Sequence, residues 1–196
     1  MKVIGITGGI GSGKSRVLSY LEEAHQAVIC ETDKAAHRLQ EKGKECYTKI
    51  VEHFGKEILD QEGKIDRKAL GNIVFSNEEE MKELNHIVHP LVKKYVKDKI
   101  KEAKEQNRKY FVIESALLLD DHYEEICDEI WYIHVKEEIR RQRLKESRGL
   151  SDEKITDIIK TQADEKTLTE YSDFIIENSA SFEETVGQIE KVINRR

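Results

Sequence analysis

The segment Gly8-Gly9-Ile10-Gly11-Ser12-Gly13-Lys14-Ser15 satisfies the pattern G-x-x-x-x-G-K-[ST]. Glycines at these spacings let successive backbone N–H groups turn inward onto phosphate oxygens, while the lysine reaches the β- and γ-phosphates and the serine hydroxyl is placed to ligate Mg²⁺. A match of this kind arises by chance in roughly one chain per hundred of this size. Here it lies between a strand-like run and a helical pattern, where a helix N-terminus adds its own field to an anion site. Asp33 follows the second short apolar run, and in an open α/β sheet the carboxyl ends of neighbouring strands converge on one crevice. A carboxylate there serves as a base for an incoming hydroxyl or organises Mg²⁺ through water; the plain alternative is a helix N-cap, with Glu31 and Thr32 beside it. Arg140, Arg141, Arg143 and Arg148 form a third group, suited by their forked donors to spread charge on a transferring phosphoryl group. Arg140 and Arg143 share a helix face and Arg141 does not; the rival reading is a solvated helix surface.

The elements that must position these groups follow from hydrophobic period. Strand-like runs at Val3 to Thr7, Ala27 to Cys30, 110 to 114, Ile130 to Val135 and Phe174 to Ile176 alternate with helical patterns, which predicts a five-stranded parallel sheet flanked by helices. Val17, Leu18 and Leu21 give the helix after the loop one buried face. A closing helix is expected over 182 to 194. The expected nucleotide-binding core is 1–33, 109–135 and 169–196. Residues 34–108 read as helical almost throughout and are too long for one crossover, so they are expected to form an inserted subdomain. Its apolar positions include Ile50, Val51, Phe54, Ile58, Leu70, Ile73, Val74 and Phe75. A break is expected at His89-Pro90, with Pro90 in the first turn of a helix running to about residue 106. Residues 136–168 are expected to be a lid of two polar helices joined at Arg148-Gly149-Leu150, with Ser151 capping the second.

Composition narrows the classes. The chain has 196 residues, 38% of them hydrophobic, and a net charge of −6. Acidity argues against a general nucleic-acid or membrane-surface binder. Residues 93–109 carry +5 and 139–148 carry +4, so the remainder carries −15. Such gathered positive charge suits a compact polyanion, or else a solvated helix. No apolar stretch approaches 18 residues and no signal-peptide pattern opens the chain, so a cytoplasmic location is expected. Cys30, Cys46 and Cys127 have neither metal-site nor disulfide spacing and read as reduced core thiols. A GTPase is disfavoured, because no N-K-x-D motif is present and Asn107-Arg108-Lys109-Tyr110 lacks the Asp.

ITGGIGSGKS at the start, D-K-A-A-H from Asp33, H-P-L-V at 89 to 92, A-L-L-L-D at 116 to 120, the Arg-rich segment followed by G-L-S, and D-F-I-I-E-N-S at 173 to 179 occur in that order. Together they resemble the dephospho-CoA kinase family over essentially the whole chain. The resemblance implies phosphorylation by ATP of the ribose 3′-hydroxyl of dephospho-CoA, the last step of coenzyme A biosynthesis, on a P-loop fold. It implies an insert at 34–108 that binds the CoA substrate, and a lid. It makes Asp33, Lys14, Arg140, Arg143 and Arg148 the expected catalytic residues, and Gly9, Gly11, Ser12, Gly13, Lys14, Ser15, Arg16 and Asn178 the expected ATP-binding ones. Ser15 is the expected Mg²⁺ ligand, and Asp33, His89, Leu117 and Asp120 the expected contacts to dephospho-CoA. A packing and capping role is the stronger reading for His89, and a turn-forming role is an equal rival to adenine contact for Asn178. Three positions depart from the family: Arg16 where Thr is commoner, Ala116 to Asp120 where Pro-Leu-Leu-Phe/Val-Glu is usual, and Arg148 one position late. A monomer or weak homo-oligomer is expected, with no nucleic-acid or membrane partner. Another small-molecule or nucleotide kinase on the same P-loop fold and, behind it, a non-catalytic ATP-binding protein are the rival readings.

Overall fold

The computed structural model describes residues 1–195. It divides into two compact units, one of Met1–Ile29 with Ala103 onward and one of Cys30–Glu102. The first unit contains most of the sheet, with strands β1 (Lys2–Thr7), β2 (Val28–Glu31, whose last two residues cluster with the other unit), β3 (Tyr110–Glu114), β4 (Glu129–His134) and β5 (Phe174–Glu177). Their order is β2-β3-β1-β4-β5. β1 runs parallel to both β3 and β4, placing Ile4 opposite Val112 and Glu129, and β4 runs parallel to β5. The central strands are buried almost end to end, as expected where helices cover both faces of a parallel sheet. Ile4, Ile6, Val112, Trp131, Ile133 and Ile176 pack with Val17, Leu18 and Leu21 of α1 (Lys14–His25) and Ile189 of α9 (Phe182–Ile193).

Three helices, not two, lie between β4 and β5: α6 (Glu137–Arg148), α7 (Asp152–Lys160) and α8 (Glu165–Tyr171). Caps set their starts. Ser151 Oγ accepts the N–H of Lys154, and Asp164 Oδ1 accepts that of Thr167. The second of these caps begins the helix that the sequence reading did not separate. These residues cluster with the sheet rather than as a unit of their own.

The second unit contains α2 (Thr32–Leu39), α3 (Glu45–Phe54), a 3₁₀ turn at Lys56–Ile58, a tight reversal bridged between Leu59 and Ile65, α4 (Arg67–Ser76) and most of α5 (Glu78–Glu105). α5 overturns one expectation. No break falls at His89-Pro90, because Pro90 lies inside a continuous 28-residue helix. Val88, Val92, Val96 and Ile100 are buried in one stripe, whereas Pro90 is exposed on the other side. Burial of four such side chains at about 1.5–3 kcal/mol each outweighs the roughly 3 kcal/mol cost of an interior proline. His86, whose carbonyl loses its N–H partner to Pro90, is itself an exposed residue. His89 is therefore a half-buried mid-helix residue and caps nothing. Phe75 is also displaced from its expected role: it is 82% exposed, while Leu70 and Val74 carry the buried face of α4.

Candidate active site

The loop Gly8 to Gly13 leaves the carboxyl end of β1 and delivers Lys14 and Ser15 into the first turn of α1. Gly11 and Gly13 have φ of +79° and +83°, a left-handed backbone in which a side chain would be strained. Ser12 N–H closes the turn on Gly9 O at 3.1 Å, and Arg16 N–H and Val17 N–H both return to Gly13 O. The N–H groups of Gly11, Gly13 and Ser15 have no acceptor among the described residues. Unspent donors at a helix N-terminus make an anion cradle. Two further polar atoms at the loop are buried with no protein partner, Ser12 Oγ and Arg140 Nε. Each such orphan costs about 1–3 kcal/mol unless a ligand satisfies it.

Lys14 Nζ donates to Gly8 O at 2.6 Å and lies 3.5 Å from Glu114 Oε1 at the end of β3. Glu114 is a neighbour the sequence reading did not assign; its signal was the acid closing the apolar run YFVIE. Arg16 does not turn to the loop with its side chain but lies over the Phe182 ring, 3.9 Å from its centroid, a cation–π contact that accounts for a large residue at this position.

Helix α6 rests directly on the loop. A Cβ at Gly11 would come within 3.1 Å of Arg140 O and 3.2 Å of Leu144, and one at Gly9 would collide with Arg140 Nη1. Arg140 thus sits at the start of the loop. Arg143 sits at its end, donating to Asn178 O at 2.9 Å and lying 3.7 Å from where a Gly13 Cβ would be. Arg141 faces away, bonded to Glu137 and Thr156. Arg148 does not join the pair: it is the exposed last residue of α6, and its side chain has no hydrogen bond or ion pair among the described residues. From α7's end Gln162, which no motif marked, accepts the Ile10 N–H at 3.1 Å.

Asn178 is spent inside the protein. Its Nδ2 donates to Ser12 O at 2.7 Å, its Oδ1 accepts from Thr185 Oγ1 at 2.8 Å, and its N–H donates to His134 O at 2.8 Å. It is only 5% exposed and Thr185 is fully buried. Both ends of the amide are thereby occupied in holding the phosphate loop onto β5 and α9. Nearby, His134 Nδ1 meets Glu177 Oε2 at 2.5 Å and its Nε2 lies 3.2 Å from Glu165. Burial pushes the Glu177 carboxyl up, but the hydrogen bonds from Ser179 and His134 outweigh it and leave the group below its ordinary range.

Leu117 is 44% exposed and Asp120 is exposed, both in the turn after β3 that Ser115 Oγ braces by accepting Leu117 N–H at 3.2 Å. In the other unit Asp33 is an exposed residue in the first turn of α2, whose N-cap is Glu31, so Asp33 is no cap. Its carboxylate has no partner among the described residues, which leaves it available to an external donor.

A parallel sheet of order β2-β3-β1-β4-β5 with a glycine loop and lysine at the end of its central strand defines the P-loop NTPase class. The fold is shared with shikimate kinase from Bacteroides thetaiotaomicron, at TM-score 0.53 and 13% identity over 99% of each chain. The particular family is narrower. The family model for dephospho-CoA kinase matches residues 2–184. The dephospho-CoA kinase of Carboxydothermus hydrogenoformans is 37% identical over 195 residues, covering 100% of this chain and 94% of the relative. The solved dephospho-CoA kinase from Campylobacter jejuni superposes with a TM-score of 0.72 at 29% identity, over 98% of this chain and 96% of the other. The chain belongs to the dephospho-CoA kinase family of phosphotransferases. No helix among the described residues is long and apolar enough to cross a membrane.

Proposed function

We propose that this protein transfers the γ-phosphoryl group of ATP to the ribose 3′-hydroxyl of dephospho-CoA, giving ADP and CoA. Family membership along the full chain carries the acceptor, and the loop carries the donor: unspent N–H groups, Lys14, and one arginine at each end. In this reading the backbone donors of Gly11, Gly13 and Ser15 and the Lys14 ammonium hold the phosphates. Arg140 and Arg143 neutralise charge on the transferring group, Arg140 using the Nε that the protein leaves unsatisfied. The bond from the 3′-oxygen to the γ-phosphorus forms as that from the γ-phosphorus to the β,γ-bridging oxygen breaks. The hydroxyl proton passes to Asp33, whose carboxylate is not occupied by a protein donor.

The donor set fits Mg²⁺. The Ser15 hydroxyl is exposed in the first turn of α1, and no group of three or more His, Cys, Asp or Glu among the described residues forms an all-protein cage. Mg²⁺ is commonly held by one or two protein groups together with phosphates and water. When bound it supplies neutralisation of the β- and γ-oxygens. We further assign acceptor binding to the Cys30–Glu102 unit with His89, a lid role to residues 136–168, and substrate contact to Leu117 and Asp120. A cytoplasmic monomer or weak homo-oligomer without nucleic-acid partners completes the reading.

The test is incubation of the purified protein with Mg-ATP and dephospho-CoA, following ADP release and product mass. One phosphoryl gained at the 3′-position, dependent on both substrates, supports the reading. ADP release without that product overturns the acceptor, and absence of turnover with ATP bound overturns the kinase.

A further inference from the structure

Outside the phosphate loop, a cavity of about 520 Å³ in the Cys30–Glu102 unit is lined by His37, Lys42, Lys64 and Arg67, with Glu41 its one acid. We propose that this cavity is the subsite for the diphosphate of the acceptor, an inference that rests on the dephospho-CoA reading above.

Two observations point to an anion. Arg67 and His37 have no carboxylate partner among the described residues, whereas the lining Lys64 is paired with Glu62, and Lys34, Lys49, Lys82 and Lys99 of the same unit each lie within 3.2 Å of an acid. The loop that presents Lys64 and Arg67 is also built rather than loose. Asp60 Oδ1 accepts the N–H groups of both Glu62 and Lys64 at 2.9 Å, and Asp60 N–H returns to Lys64 O at 2.8 Å. Tyr47 OH from α3 donates to Gly63 O at 2.6 Å, and Lys42 Nζ reaches Glu62 O at 3.2 Å. Asp66 then caps α4 by accepting the N–H of Lys68, fixing Arg67 as the first helical residue. A rigid loop holds cations in place before a ligand arrives, which lowers the ordering cost of binding.

Position supplies the third argument. His37 lies four residues after Asp33 on α2, so the two share a face about 6 Å apart along the axis. That rise matches the span of a ribose from its 3′-hydroxyl to its 5′-diphosphate. A nucleotide with its hydroxyl at Asp33 therefore directs its diphosphate toward His37 and the cavity behind it. Arg67 offers the paired N–H donors that suit phosphate oxygens, and Lys42, bonded among the described residues only to the Glu62 carbonyl, adds a point charge, while the Lys64 ammonium is shared with Glu62.

The experiment compares R67Q and the double variant H37Q/R67Q with wild type, using K68Q as a control that removes an exposed charge just outside the cavity. With dephospho-CoA as acceptor, the KM for the acceptor should rise about tenfold in R67Q and up to about a hundredfold in the double variant, the size expected for lost charge-assisted hydrogen bonds. The KM for ATP, kcat within about threefold and the thermal midpoint should stay as in wild type, since Arg67 and His37 are exposed and bond to no protein acid. Calorimetric Kd for dephospho-CoA should move with the acceptor KM. An acceptor KM within twofold of wild type in the double variant would overturn the subsite, as would an equal rise in K68Q. A wild-type enzyme silent toward dephospho-CoA would overturn the acceptor reading and this subsite with it, and is told apart because it shows before any variant is compared.

Discussion

The Thr185-Asn178-Ser12 chain should couple stability to nucleotide affinity. Thr185→Val keeps the side-chain volume but removes the hydroxyl that donates to Asn178 Oδ1 at 2.8 Å, at a site that is fully buried. The orphaned Oδ1 costs about 1–3 kcal/mol. For a chain of this length each kcal/mol lowers Tm by roughly 2–4 °C. Without the Thr185 hydroxyl the Asn178 amide loses what fixes its orientation, and its 2.7 Å bond to Ser12 O weakens. The loop that presents the Gly11, Gly13 and Ser15 donors is then less ordered, so KM for ATP should rise several-fold while KM for the acceptor does not. Asn178→Ala should be worse on both counts, and the double variant little worse than Asn178→Ala, because Thr185 acts chiefly through Asn178. The assay is a double-mutant cycle in urea, read from the single tryptophan, Trp131, which is buried in β4, with steady-state kinetics alongside. Additive losses, or an unchanged KM for ATP in all three variants, would show that the two side chains do not act as one device.

Asp33→Asn should keep ATP affinity and lose roughly a hundred- to ten-thousand-fold in turnover, and near-normal turnover would remove Asp33 as the base. Gly9→Ala puts a methyl where Arg140 Nη1 lies, so kcat should drop about ten- to a thousandfold with little change in Tm; an unaltered kcat would separate Arg140 from the chemistry. Burial pushes the thiols of Cys30 and Cys46 up to about 11 and that of Cys127 up to about 12, so none should react promptly with a thiol reagent at pH 8, and all three should after denaturation. The Glu177 carboxyl sits below its ordinary 4.5, so its stabilisation is complete above that pH and is lost as pH falls through the folded value. The stability gap between wild type and Glu177→Gln should accordingly shrink below about pH 4.5, and a gap that stays constant would refute that origin.

Local signals carried far in this chain. The glycine spacing from Gly8 to Lys14 dictates a phosphate loop, because glycine takes the positive φ at Gly11 and Gly13 without the strain a side chain would bring. Short, near-continuous apolar runs placed the five strands within a residue or two, because both faces of a parallel sheet must be apolar. What the tertiary structure decided concerns competition between local preference and packing. Proline ordinarily ends a helix, yet Pro90 does not, because the Val88-Val92-Val96-Ile100 stripe holds the helix together and Pro90 lies on the exposed side. Phe75 has the period of a core residue but lies outside it. Four arginines look alike in sequence, and only the seating of α6 on the loop brings Arg140 and Arg143 to its two ends while Arg141 pairs with Glu137 and Arg148 stays in solvent. Glu114, Gln162 and Thr185 lie 100, 152 and 173 residues from Lys14, Ile10 and Ser12 respectively. No spacing rule connects such groups, since it is the parallel crossovers of the sheet that bring them together.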